Sequence, residues 1–329
     1  MTALSSTPRN GTGSWLICTA CGTQFPTSDR AAQQTCFICD DPRQFAPPTG
    51  QAFTTLDELR APGSGYRNEF APLFSSSNKE KGEEGKETFT SIYTVPKFAI
   101  GQRAILVRTP AGNILWDCLS LLDNATIAEI TSRGGLDAIV ISHPHYYTTH
   151  LDWARAFGCP VYLASEDAAW LTQTSALSQE LVPRESIEYD VPGRGGVPSG
   201  FKVLKLGGHF PGSGVGLYEG RLLVADTLVT TPAGMGGYAA QGRGRPKGMN
   251  SYAFMWSIPN MIPLPPWELA RMWRILQRHR FRSTHGAFMG LDIVGESEEE
   301  MQRRVLESMQ IQVKHSGYRD HPLLRETVL

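Results

Sequence analysis

Apolar runs alternate with amphipathic stretches from about residue 88 onward, and this alternation predicts strands interleaved with helices. RAILVRT (103–109) and NILWDC (113–118) flank the turn PAGN and predict a hairpin. ATIAEITSRGG (125–135) predicts a short amphipathic helix stopped by glycine. LDAIVIS (136–142) is a continuous apolar run bounded by turn residues, the pattern of a strand buried on both faces. GVGLYEGRLLVAD predicts a second hairpin that turns at Glu219-Gly220. PWELARMWRILQRH (266–279) puts Leu269, Met272, Trp273 and Leu276 on one helical face. The last predicted helix, over 297–317, opens on a Ser297/Glu300 capping box and closes on Gly317. The fold class is therefore α/β.

The first 90 residues read differently. Residues 1–14 are rich in Ser, Thr and Gly and predict a disordered N-terminus. Residues 15–60 carry Cys18-x2-Cys21 and Cys36-x2-Cys39, with fourteen residues between the pairs. Tetrahedral Zn²⁺ takes four thiolates, and each CxxC turn sets two sulfurs on one side of an ion, so a small zinc ribbon is expected. Two disulfides or a redox CxxC are the alternatives, and both suit a reducing compartment less well. So small a unit would take most of its folding energy from the ion. Residues 61–89 predict a linker with a solvated charged loop, SSSNKEKGEEGKE, at 75–87; 90–317 is the large domain and 318–329 a C-terminal tail. Cys118 and Cys159 lie in apolar runs and are expected to be buried small hydrophobes.

Composition narrows the partners. The chain has 329 residues, 41% hydrophobic and 19% charged, with net charge −1, so no bulk attraction to nucleic acid or anionic lipid is expected. No apolar stretch approaches the roughly 20 residues that span a bilayer, so no membrane partner is expected. The N-terminal stretch lacks the apolar core of a signal peptide, so a cytoplasmic or nucleocytoplasmic place is expected. GRGRP (242–246) echoes the AT-hook, but one copy in a neutral chain does not make a DNA-binding protein.

The candidate chemistry lies at the ends of the predicted strands. His143 and His145 follow LDAIVIS, His209 follows FKVLKL in GGHFPGS, Asp226 ends RLLVAD, and His285 ends FRSTH. A strand that hands over to a loop can aim such side chains into one cleft. Three neutral imidazoles hold Zn²⁺ and leave a position for water, whose pKa falls to about 7.

The order Asp117, His143-x-His145, His209, Asp226, His285 resembles the metallo-β-lactamase fold superfamily over roughly residues 90–317. The resemblance implies a four-layer αββα sandwich with metal in the cleft at the sheet edges. It implies ligands His143, His145 and His209, with Asp226 able to bridge to a second ion held partly by His285, and Asp117 as a structural acid. A cysteine knuckle ahead of a modified histidine string is similar to fungal members of the superfamily, some of them linked with degrading plant-derived lactams. The family string His-x-His-x-Asp-His departs here to HPHYYTTH (143–150), with Tyr147 and Thr148 at the last two places. One ion is therefore expected, at His143, His145, His209 and Asp226, with zinc as the first choice and iron as the alternative. His285 is then a proton carrier, a substrate contact or a ligand of a weakly held second ion. His150 could replace the lost histidine, but a helix starting near Thr149 would point it elsewhere. Tyr146 or Tyr147 packs over the cleft or donates to an oxyanion, and Tyr147 is taken as the candidate.

The implied activity is hydrolysis of a small ester, lactone or lactam by metal-bound hydroxide, with catalytic roles for Asp226, His285 and Tyr147. A scaffold that kept the fold without catalysis, or a mononuclear iron oxidoreductase, are the alternatives. Residues 235–266 read as a lid over the cleft, with Tyr252, Phe254, Met255, Trp256 and Met261 as an apolar wall for a flat substrate or, alternatively, a homodimer contact.

Overall fold

The computed structural model describes residues 11–73, 88–236 and 250–328. A seven-stranded sheet takes its strands in chain order: β1 (Arg67–Pro72), β2 (Phe89–Val95), β3 (Ala104–Thr109), β4 (Gly112–Trp116), β5 (Ala138–Val140), β6 (Val161–Ala164) and β7 (Gln179–Val182). The first four pair antiparallel and the last three join in parallel. Helices α1 (Asn124–Ser132) and α2 (His150–Phe157) lie between the parallel strands in sequence, as crossovers must. A six-stranded sheet follows: β8 (Glu188–Pro192), β9 (Pro198–Lys205), β10 (Gly214–Tyr218), β11 (Arg221–Leu223), β12 (Ser283–His285) and β13 (Asp292–Val294). Helices α3 (Pro266–Leu276) and α4 (Glu298–His315) accompany it.

Alternation along the strands builds the layers. In β3 and β4, Ile105, Val107, Ile114 and Trp116 meet Phe201, Val203 and Leu223 between the two sheets. Their neighbours Ala104, Leu106 and Leu115 face the opposite way, onto Ile130 of α1 and Trp153 of α2. Leu204, Leu222 and Val224 face outward onto Leu269, Met272 and Trp273 of α3 and Met301 and Val305 of α4. Period-2 strands can bury both faces only between two apolar layers, and the result is the αββα sandwich. The sheets meet closely at Gly216, where a Cβ would lie 3.1 Å from Trp116 Cε3 of the opposite sheet and 2.5 Å from Phe201 Cζ on the neighbouring strand.

Several boundaries move. The stretch expected as linker contains β1, which pairs with β2 over its whole length, Arg67 opposite Val95. An edge strand needs backbone pairing more than apolar alternation, so RNEFAP carries little pattern. The charged run 75–87 and GRGRP fall outside the described residues. Residues 11–14, expected to be disordered, form a turn whose Thr12 hydroxyl donates to Asp152, 2.7 Å away. The C-terminal tail docks through buried Leu323. The capping box of α4 is half formed: Ser297 accepts from Glu300 N, but the Glu300 carboxylate takes the N–H of Glu296 instead. Among the described residues, no helix is long and apolar enough to cross a membrane.

The four-cysteine unit packs on this sandwich. Gln24 N donates to Thr148 O, Ser120 Oγ to Gly22 O, and Arg60 to Leu122 O. Ile17, Leu56 and Leu59 share a core with Leu121. Cys118 and Cys159 are buried, as expected.

Candidate metal centre

Loop geometry at three strand ends makes the centre. After β5 the chain enters a single 3-10 turn, Pro144–Tyr146, with His143 extended just before it. That bend turns His143 and His145 to the same side. After β9, Gly207 and Gly208 adopt φ +65° and +86°, conformations that favour glycine, and swing His209 back over the sheet edge. Asp226 stands three residues past β11.

The side chains converge. His143 Nε2 lies 3.3 Å from Asp226 Oδ2, while His145 Nδ1 and His209 Nε2 each lie 3.7 Å from it. His209 Nε2 and His145 Nδ1 are 3.1 Å apart. A tetrahedral ion bound at about 2.1 Å needs ligand atoms roughly 3.4 Å apart, so these residues fit one. The buried Nε2 of His143 has no hydrogen-bond partner among the described residues. His209 Nδ1 sits 2.9 Å from Trp256 O, and a carbonyl only accepts, so the proton is on Nδ1 and the Nε2 lone pair faces the cluster. His143 Nδ1 is 2.8 Å from Ser142 Oγ.

Burial sets the charges. It pushes His145 down to about 4 and His209 well below the usual histidine range, keeping both neutral as ligands must be. Burial alone would raise Asp226, but His143, His145 and His209 outweigh it and hold the carboxyl well below its ordinary value. Asp117, with φ +61° at the end of β4, accepts from Ser142 N at 2.8 Å, and burial pushes it up to about 6. It supports the His143 loop from beneath, apart from the cluster of donors.

Three expectations are corrected here. His285 is not with the other ligands: its Nδ1 is 2.9 Å from Asp292 Oδ1 and its Nε2 2.8 Å from Ser283 Oγ. Asp292 also pairs with buried Arg103, so β12 and β13 tie His285 into a charged network beside the sheet. Tyr147 is not at the cleft chemistry either; its buried hydroxyl points to Asp167 O at 3.4 Å. Tyr146 is the phenol at the centre, donating to Asp226 Oδ1 at 2.8 Å, because the 3-10 turn faces residue 146 inward and residue 147 away. Of the expected apolar wall, Tyr252 and Phe254 are buried in the α3/α4 core, Met261 is 79% exposed and Met255 is half-buried outside the cleft lining, leaving Trp256 on the cleft. His150 starts α2 as expected and is held by Tyr147 O and Gln179.

The four cysteines also converge, all reduced, with Cys18 Sγ 3.7 Å from Cys39 Sγ and Cys21 Sγ 3.6 Å from Cys36 Sγ. Tetrahedral Zn–S bonds of 2.3 Å put sulfurs about 3.8 Å apart, so the set fits a structural ion. Thiol hydrogen bonds from Cys21, Cys36 and Cys39 hold Cys18 far below the usual thiol range, and Gln51 adds a donor at 3.0 Å. Among the described residues, these four and the His143, His145, His209, Asp226 set are the two groups able to hold a metal.

Sequence reasoning missed what lies next to this unit. The loop after Cys39 runs across the mouth of the cleft, bringing Gln44 Nε2 to 3.4 Å from His145 Nδ1. Arg43 sits over the rings of Trp170, Phe210 and Trp256, 5.0, 4.3 and 5.1 Å from their centroids. Ser257 and Asn260 pin the loop through the carbonyls of Pro42, Arg43 and Gln44. Only the position of 40–45 shortly after a metal knuckle could have hinted at it.

Residues 99–273 match the family described as the metallo-beta-lactamase superfamily. YmaE of Bacillus subtilis (strain 168), described as uncharacterized, is 34% identical over 281 residues, 83% of this chain and 88% of that protein. Among solved structures, the DIM-1 metallo-beta-lactamase is 12% identical with TM-score 0.46, covering 69% of this chain and 96% of its own. FIM-1 from Pseudomonas aeruginosa, in a mono-zinc form, is 11% identical with TM-score 0.44, covering 68% and 94%. The chemotaxis sensor ODP, as a peroxy diiron species, is 14% identical with TM-score 0.42, covering 68% and 93%.

Proposed function

The chain belongs to the metallo-beta-lactamase superfamily, and from that premise we propose that it is a metal-dependent hydrolase of small esters, lactones or lactams. The observation that carries this reading is the convergence of His143, His145, His209 and Asp226, whose donor atoms all lie within 4.8 Å of one another in a buried pocket. These four residues would hold a divalent ion, which would supply Lewis acidity and a water acidified toward neutrality. Tyr146 holds Asp226 Oδ1, so Oδ2 is left to face the histidines, where it would help hold the ion and orient the attacking water. The Trp256 carbonyl and Ser142 fix the ring planes of His209 and His143, which keeps the donors in place without a reorganisation cost. Trp256, Arg43 and Pro211 border a cleft of about 490 Å³ against His209, a volume suited to a small molecule. Four convergent thiols that are not paired as disulfides support a reducing, cytoplasmic setting.

The test couples elemental analysis with a panel of esters, lactones and lactams, assayed with and without chelator. Zinc is expected at both clusters, and His209→Ala should remove the cleft ion and turnover while keeping the cysteine-bound one. Iron in the cleft would direct the chemistry to oxidation instead. A metal-loaded protein with no chelator-sensitive turnover across the panel defeats the hydrolase reading.

A further inference from the structure

The structure points to Arg43, delivered by the four-cysteine unit, as the residue that receives a carboxylate of the substrate; this rests on the proposed reading of the cleft as the reaction site. Arg43 borders the cleft beside His209 and Trp256. Its guanidinium is buried among three aromatic rings, and its Nε and Nη1 have no hydrogen-bond acceptor among the described residues. The nearest acid, Asp41, lies 3.6 Å from Nε, too long for a hydrogen bond, and its Oδ1 already accepts from the Arg43 backbone N–H at 2.8 Å. A buried guanidinium with open donors is costly, and an incoming anion offsets that cost.

The other cations of the cleft are already answered. Lys205 is bound by Glu166 and by the carbonyl of Pro183, and Arg271 by Glu268. Arg184 is exposed at the rim. Four basic against two acidic side chains line the cleft, and the excess stays positive even after Asp41 is counted. The faces of the Arg43 guanidinium are covered by rings, so a ligand meets it in plane along its N–H edge. Two parallel hydrogen bonds to a planar carboxylate can form there along the edge that Nη1 shares with Nη2. Trp256 and Phe210 beside it suit an aromatic body attached to that carboxylate.

Benzoate and its neutral isostere benzamide are the probes, measured by calorimetry on the full chain loaded with zinc. The unsubstituted protein is expected to prefer benzoate by about tenfold, the usual worth of a charge-assisted bidentate contact. Arg43→Gln should abolish that preference, read as the ratio of benzoate to benzamide affinity within each variant, and Arg43→Lys should recover part of it. The thermal midpoint of each variant reports folding. His143→Ala, which disables the cleft ion, should keep the Arg43-dependent preference, since no turnover is required; a failure of the hydrolase reading therefore leaves this result standing. Equal binding of the two probes overturns the assignment. So does a preference that survives Arg43→Gln and vanishes in His143→Ala, because the anion would then sit on the metal.

Discussion

Replacing Tyr146 by Phe removes one oxygen from the centre and little else. The ring stays in its fully buried slot, 4.4 Å between centroids from His143. What is lost is the hydrogen bond of 2.8 Å to Asp226 Oδ1. Burial drives the Tyr146 phenol well above its ordinary pKa, so it is a neutral donor throughout the working range. A hydrogen bond to a charged acceptor contributes about 1.5–3 kcal/mol, and loss of a partner that orients a metal ligand costs roughly 10–100-fold in affinity. The two scales agree, since tenfold is about 1.4 kcal/mol. An opposing effect exists: an undonated carboxylate is a stronger ligand. It is small here, because Asp226 is ionised with or without the phenol, its neighbouring histidines outweighing burial. The oxygen left without a donor and the freed carboxylate torsion win. Competition of the zinc-loaded protein against a graded chelator should show the cleft ion 10–100-fold weaker in Tyr146→Phe, with the cysteine-bound ion unchanged. Tyr147→Phe is the internal control: its hydroxyl reaches only Asp167 O at 3.4 Å, so the affinity should stay put. Equal effects of the two substitutions, or none from Tyr146→Phe, would refute the reasoning.

Further outcomes follow from particular contacts. Cys36→Ser removes one of four thiolates, so the unit should lose its ion and the loop carrying Arg43 and Gln44 its anchor; loss of one zinc per chain together with raised proteolysis near residues 40–45 checks this. Gly216→Ala forces a methyl to 2.5 Å from Phe201 Cζ between the sheets and should cost about 1–3 kcal/mol in denaturant unfolding. His150 is depressed from 6.5 to about 4 by burial, a difference of roughly 3 kcal/mol between its charged and neutral forms. Its Nδ1 donates to Tyr147 O and its Nε2 accepts from Gln179, so a second proton has no acceptor. The unfolded chain binds that proton first, and stability should fall as pH drops from about 6.5 toward 4. In His150→Gln the slope of stability against pH over that window should be shallower by one proton.

The layers were legible in the chain because both sheets are built from runs whose alternation is unambiguous. Ile105, Val107, Ile114 and Trp116 alternate with Ala104, Leu106 and Leu115, and only one arrangement buries both sets. The four cysteines and the strand-end residues His143, His145, His209 and Asp226 were equally visible, since their types and places restrict what they can do. An edge strand such as β1 hid itself, because half of its pairing surface is backbone and carries no side-chain pattern.

What only the tertiary structure decided are the partners. Tyr146 and Tyr147 are indistinguishable as letters, and a single 3-10 turn sends one hydroxyl to Asp226 and the other to Asp167. His285 ends a strand like the other candidates, yet Asp292 on the next strand claims it, and Arg103 holds Asp292 in turn. Arg43 and Gln44 lie about a hundred residues from His145 and meet it because the cysteine unit packs across the cleft. Residue type and strand position depend on local chemistry and are written along the chain. Which acceptor a donor meets depends on the relative placement of whole layers, and that is settled only by burial of the core.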